Sequence, residues 1–201
     1  MPNLQLHQLR VAAVAQQLAH ATTIDVDGHS IITACLIHDI ANIIKFELKR
    51  FPEFLEPQGL DYWQGVQKAF IDTYGADEHR ASLQIAADMK LPQVVVDLIR
   101  GTGFSEIPNI VKRGSLEEKI CCYADQRVGP FGVITIEERL VEGKARYAHR
   151  TDRKLSVNFD EIAEDLRTLE QQVFDYSKIM STDITNDSIQ SEIALLKNSQ
   201  I

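Results

Sequence analysis

Apolar residues recur at steps of three and four along almost the whole chain, a periodicity that admits little except packed helices. Leu4, His7, Val11, Val14 and Leu18 form one stripe, which predicts a first helix with His7 on its inward face. Asp25-Val-Asp-Gly reads as a turn, and Ile32, Leu36, Ile40 and Ile43 predict a second helix from about His29 to Phe46. On that reading His38 and Asp39 lie in mid-helix. Pro52, Pro57 and Gly59 imply an irregular connection, followed by helices over Tyr62 to Tyr74 and Asp77 to Met89, parted at Gly75. Pro92 suits the first turn of a short helix ending at Ile99 or Arg100, closed by Gly101 and Gly103.

Three further starts carry a capping residue with Glu three positions on: Ser115 with Glu118, Thr135 with Glu138, and Asn158 with Glu161. The stretches richest in strand formers, Gly132 to Ile136 and Val94 to Val96, are short and flanked by helix signals. The expectation is therefore all-α, a bundle of about eight or nine helices in one domain over residues 1–180. Its last helix, Phe159 to Ile179, carries Ile162, Leu166, Leu169 and Val173 on one stripe. That stripe packs on its own domain or pairs with a second copy, which leaves a homodimer open. Residues 181–201, entered through a segment rich in Ser, Thr, Asp and Asn, read as a loosely attached tail.

The charge of −8 argues against a nucleic-acid polymer as partner, because such a surface needs many cations to neutralise phosphates. A small anion stays admissible where positive charge is local. Arg139 to Lys154 holds six Lys/Arg, Arg146 and Arg150 among them, against Glu142 and Asp152. No apolar run approaches the roughly 20 residues that a membrane helix needs. The start MPNLQLHQLR lacks the basic residues and apolar core of a secretory signal. Cys35, Cys121 and Cys122 fit neither a C-x-x-C knuckle nor a disulfide framework, and read as buried thiols of a cytoplasmic protein.

An adjacent His38-Asp39 pair on a helix can meet one ion only at that helix's edge, and imidazole with carboxylate suits a divalent metal. The inward-facing His7 and Asp125, on the helix that Ser115 starts, are the candidate partners. His7 in Leu-His-Gln-Leu-Arg-Val-Ala, then Leu-Ile-His38-Asp39-Ile-Ala-Asn, then Tyr-Ala-Asp125-Gln-Arg-Val, resembles the ordered His, His-Asp, Asp signature of the HD superfamily, over roughly residues 4 to 130. The resemblance implies a helical bundle with phosphohydrolase relatives. It also implies that His7, His38, Asp39 and Asp125 hold one divalent metal per chain, with Mn, Co, Ni, Fe, Zn and Mg not distinguished.

From that resemblance follow a metal-activated water as nucleophile and a nucleotide or other small phosphorylated metabolite as substrate. Asp39 and His79 are the candidate catalytic groups, and Arg10, Lys45 and Arg127 the candidate phosphate contacts. Gly101-Thr-Gly resembles a backbone anion nest, and Tyr62, Trp63, Tyr74 and Phe104 are candidates to stack a base. His20, His29 and His149 read as structural or solvated. Two departures stand out. Ile99-Arg-Gly-Thr-Gly-Phe occupies the place where some relatives carry a histidine pair for a second metal, which speaks against a di-iron oxygenase. Asn42 replaces the charged group that several subfamilies place one turn after the His-Asp aspartate. Both keep a second reading open, a regulatory protein that binds metal and nucleotide without turnover.

Overall fold

Three alanines and two valines, the run Val11–Ala15, let the first helix lie close against its neighbours. In a computed structural model, which describes residues 1–147 and 159–198, helix α1 spans Pro2–Ala21 and buries Val11, Ala12, Ala13, Val14, Ala15 and Leu18. Fully burying a side chain such as Leu18 stabilises the fold by about 2 kcal/mol. Helix α2 (Gly28–Ile37) packs along α1. The Asp27 carboxylate starts it by accepting the Ser30 amide at 3.0 Å.

Helix α3 (Gly59–Tyr74) stops at Gly75, whose φ of +87° suits a residue without a Cβ. Asp77 caps α4 (Glu78–Asp88) by accepting the Arg80 amide at 2.9 Å. Pro92 stands immediately before α5 (Gln93–Gly101). A short helix that periodicity did not reveal, α6 (Ile107–Arg113), has Pro108 in its first turn. The Ser115 and Glu118 capping box opens α7 (Leu116–Gln126), and Thr135 with Glu138 does the same for α8 (Ile136–Tyr147). Helices α9 (Phe159–Phe174) and α10 (Gln190–Asn198) follow. The described residues therefore form ten α-helices with no strand, only the isolated bridges Thr22 to Ser177 and Val128 to Val133. The Asn158 cap, His149 and Arg150 lie outside the described residues, and so does the side chain of Arg146.

Two expectations are corrected. The second helix ends at Ile37, so His38 caps it and Asp39 lies in the turn beyond, rather than both standing in mid-helix. Cys35 O, the acceptor that a continuing helix would offer to the Asp39 amide, takes the His38 Nδ1–H at 2.8 Å instead. The chain tightens to bonds spanning three residues, Ile40 N to Ile37 O and Asn42 N to Asp39 O, both 2.9 Å. Gln67 Nε2 then donates to Ile43 O at 2.8 Å and Phe46 O at 3.0 Å, serving carbonyls that the broken helix leaves over.

The tail is not loose. Ile184, Ile189, Ile193 and Leu196 are buried in the main core, and α10 packs on α1. Asn186 Oδ1 accepts the Val133 amide at 2.8 Å, and Ser188 Oγ donates to Gln17 Oε1 at 3.0 Å. A polar composition at residues 180–188 drew attention from apolar anchors in and beyond it, spaced five, four and three apart. The stripe of α9, Ile162, Leu166, Leu169 and Val173, is buried within this same chain.

Candidate metal centre

Helices α1, α2 and α7 pack on one another, and each brings part of one cluster to their shared junction. His7 comes from the second turn of α1, His38 and Asp39 from the end of α2, and Asp125 from the last turn of α7. His7, His38 and Asp39 bring ligand atoms that all lie within 4.8 Å of one another. Asp125 Oδ1 joins them, 3.4 Å from His7 Nε2 and 3.3 Å from His38 Nε2. Asp39 Oδ2 stands 3.7 Å from His7 Nε2 and 3.9 Å from His38 Nε2.

The 3.3 and 3.4 Å spacings at Asp125 suit a shared cation, since two ligand atoms each about 2.1 Å from one ion stand about 3 to 3.5 Å apart, and Asp39 Oδ2 stands a few tenths of an ångström wider. The donor chemistry agrees. Cys35 O fixes the proton of His38 on Nδ1, so Nε2 of the neutral ring turns a lone pair toward the Asp125 carboxylate. Two acceptors face each other there unless a metal ion or a proton lies between them. Burial pushes the His38 imidazole down, but Asp39 and Asp125 prevail and raise it to about 10. Burial raises the Asp125 carboxyl, and the two imidazoles overcome that and hold it well below the usual range. The residues present therefore fit a divalent ion.

The surroundings hold the ligands in place. Gln126 Nε2 donates to Asp125 Oδ2 at 3.0 Å, which leaves Oδ1 for the imidazoles. Arg139, from α8, donates to Gln126 O at 2.9 Å, to Asp125 O at 3.2 Å and to Val128 O. Asn42 Nδ2 donates to Asp39 Oδ2 at 2.7 Å. His38 is the buried floor at 3% side-chain exposure, whereas His7, Asp39 and Asp125, at 18%, 22% and 21%, open one side of the cluster to solvent.

Arg10 lies one turn after His7, half-buried, and no acidic partner meets it among the described residues. Burial lowers its guanidinium from the ordinary value, the mark of a cation without a counter-charge. Lys45 Nζ bonds Glu78 Oε1 at 2.7 Å. Burial lowers the Lys45 ammonium, but Asp39, Glu78 and Asp125 raise it above its usual value, so its charge is felt at the cluster. His79 is half-buried in the first turn of α4, one turn before Ser82, whose Oγ accepts the Ala41 amide at 3.3 Å.

Arg127 is a correction. It is 2% exposed, and its guanidinium donates to Tyr123 Oη at 2.6 Å, Ile134 O at 2.6 Å, Ile184 O at 3.1 Å and Ser181 O at 3.2 Å. It ties α7 to the C-terminal segment and has no group left for a phosphate. The aromatic candidates are also engaged elsewhere. Trp63 donates to Leu55 O at 3.0 Å, Tyr62 packs edge-on against Trp63, Tyr74 against Phe70, and Phe104 against the main core. Thr102, buried, donates to Ile99 O at 2.7 Å, so the Gly101-Thr-Gly segment closes α5. His20 and His29 are exposed, and all three cysteines are free and buried.

The residues that the sequence reading missed are supporting ones. Arg139, Gln126 and Glu78 act on backbone carbonyls or neighbouring side chains, contacts that no spacing rule signals. Asn42 was read as a lost charge, although a short amide one turn from an aspartate is a ready donor to it.

An all-α fold with two imidazoles and two carboxylates converging where three helices meet defines a class of metal-binding helical domains. The family model described as HD domain matches residues 5–127, more than half of the chain, and the chain belongs to the HD domain family. No curated protein and no solved structure matches it. No helix among the described residues is long and apolar enough to cross a membrane.

Proposed function

We propose that this chain is a metal-dependent phosphohydrolase of the cytoplasm, hydrolysing a phosphate ester in a nucleotide or another small phosphorylated metabolite. The observation that carries the reading is the confrontation of His38 Nε2 with Asp125 Oδ1 at 3.3 Å, beside the three converging ligand groups His7, His38 and Asp39. His7, His38, Asp39 and Asp125 would hold the ion. A divalent ion bound there acidifies water and polarises a phosphoryl oxygen.

The chain's own residues supply the rest. Arg10, half-buried without an acid, and Lys45, which exchanges Glu78 for the substrate, meet the phosphate and offset charge in the transition state. Asp39 orients the attacking water, and His79 faces the substrate. The water oxygen bonds phosphorus as the ester P–O bond breaks, and the proton that leaves the water ends on the departing oxygen.

Elemental analysis of the purified protein, followed by phosphate-release assays, tests this. Samples loaded with Mn, Co, Ni or Mg would be offered nucleotides and generic phosphatase substrates. Release under at least one loading is expected. Tight nucleotide binding with no release under any loading would replace the proposal with the regulatory reading.

A further inference from the structure

The three helices that carry the ligand cluster turn the same end of the bundle toward it: α1 its N-terminal turns, α2 and α7 their C-termini. The connections leaving those ends meet through four phenylalanines. Phe46, Phe51 and Phe54 follow Lys45, and Phe131 comes from the turn after α7. Phe51 stacks on Phe54 with ring centroids 5.0 Å apart, Phe46 lies 6.4 Å from each, and Phe131 stands edge-on at 6.1 Å and 5.7 Å. Phe46 rests on the same apolar cluster as Leu4, one turn before His7. On the other side, Asp125 O accepts the Val128 amide at 3.1 Å, so the turn springs from the peptide of the fourth ligand. Phe131, three residues on, stands no more than about 11 Å beyond Val128. The rings thus border the cluster.

Phe131 differs from the other three. It is 68% exposed, whereas Phe54 is buried and Phe46 and Phe51 are half-buried. Phe51 is stacked on Phe54 and carries the Arg50 guanidinium 5.4 Å from its centroid, so that ring is in use. Phe131 keeps at least one face open. Its turn is held firmly: Gly129 N donates to Gly132 O, Val133 N to Asn186 Oδ1 and Ile134 N to Arg127 O, each at 2.8 Å. Gly132 sits so close to Asn186 that a Cβ there would collide with the amide. An apolar ring fixed in water forgoes the stabilisation of burial, and a ligand that covers it recovers that.

We infer that Phe131 is the base-stacking residue of the substrate site, and that the phosphorylated compound this chain takes is a nucleotide whose base lies on the open face of that ring. The inference rests on the hydrolytic reading above. What covers the ring follows from what stands beside it. Asp39 and Asp125 act on the Lys45 ammonium, so this proposed phosphate contact lies at the cluster, and the chain runs from it straight into the phenylalanines. A nucleotide has the matching order, an anion joined through a sugar to a flat aromatic base. Every base offers a π-face, so a plain phenyl ring holds the class without choosing among its members.

The test compares two kinds of phosphate monoester, with and without a base. Mn²⁺-loaded wild type, Phe131→Ala and Phe131→Trp would be assayed with AMP, GMP, CMP and UMP, and with ribose 5-phosphate. For the best nucleotide, Phe131→Ala is expected to raise KM about tenfold, and Phe131→Trp to stay within about threefold of wild type. Ribose 5-phosphate should show less than about a twofold change in either variant. Equal changes for nucleotide and ribose 5-phosphate would overturn the inference, as would a wild type that takes ribose 5-phosphate as well as every nucleotide.

A second readout needs no turnover. Trp63 is the chain's one tryptophan, and it is buried, so wild type serves as the blank for fluorescence of Phe131→Trp. Saturable quenching of the new indole by nucleotide, and none by ribose 5-phosphate, is expected. If that quenching appears while no metal loading gives phosphate release, the hydrolytic reading fails and the base seat stands. If wild type hydrolyses nucleotides and Phe131→Ala leaves their KM unchanged, the base seat fails and the hydrolytic reading stands. Dimerisation in sedimentation velocity, or pelleting with phosphatidylserine vesicles, that is lost in Phe131→Ala would assign the ring to another occupant and overturn the inference.

Discussion

His38 Nε2 faces Asp125 Oδ1 at 3.3 Å from a position 87 residues away in the chain, while the other ring nitrogen is committed to Cys35 O. The relationship makes the site a competition between a proton and a metal ion for one pair of atoms.

The first prediction concerns pH. Metal-free His38 is raised to about 10 from an ordinary value near 6.5. A raised value means that the protonated ring stabilises the fold fully below pH 6.5 and loses that contribution as pH climbs through about 10. Urea unfolding in the presence of a chelator should therefore show stability falling between pH 7 and pH 10. Metal must displace the same proton, so Mn²⁺ binding at pH 8 should release about one proton per site, read by calorimetry in buffers of different ionisation enthalpy. Binding with no proton release would place the metal elsewhere.

On the proposed assignment Asp39 would supply one ligand oxygen, and it is only partly buried, in no core cluster. Asp39→Ala should abolish metal retention and phosphate release while far-UV circular dichroism stays close to wild type. A metal-loaded, active Asp39→Ala protein would contradict the ligand assignment.

Lys45, whose ammonium feels Asp39 and Asp125, and Arg10, one turn after His7 on α1, are the two proposed phosphate contacts. Arg10→Ala and Lys45→Ala should each raise KM about tenfold, more than they lower kcat, in steady-state assays. Unchanged kinetics would remove the residue concerned from the substrate site.

Arg127 should behave as a structural residue. Arg127→Ala leaves the Ser181, Ile184 and Ile134 carbonyls and the Tyr123 hydroxyl without their donor. The cost should be about 3 kcal/mol, seen as a melting temperature lower by about 6 to 12 °C. Folded Arg127→Ala protein should keep wild-type KM. Arg127→Lys should rescue little, because an ammonium cannot reproduce the planar fork.

Removing residues 181–201 strips Ile184, Ile189, Ile193 and Leu196 from the core. The shortened chain should lose cooperative thermal unfolding or melt far below the full chain. A truncated protein with an unchanged melting curve would restore the loose-tail expectation.

Much of this was readable in the residues because helical periodicity and metal ligation leave local traces. The stripe from Leu4 to Leu18 placed His7 correctly on a helix, and the capping boxes at Ser115 and Thr135 marked α7 and α8 to the residue. What stayed hidden depends on partners distant in the chain. The break after Ile37 arises because a histidine ring competes for Cys35 O, and periodicity continuing through Ile40 and Ile43 masks it. Arg127 looks like a phosphate cation from its place beside Asp125, and only the folded tail shows which carbonyls use it. Helix α6 is seven residues long, too short to establish a period.

The clamp formed by Arg139 and Arg127 has a consequence for dissecting this protein. A fragment cut at the family boundary, residue 127, would keep all four proposed ligands. It would discard the guanidinium that grips the peptide around Asp125, and the carbonyls that Arg127 itself grips. Grafting residues 5–127 onto another scaffold would therefore transplant a signature without the vice that keeps its fourth corner square.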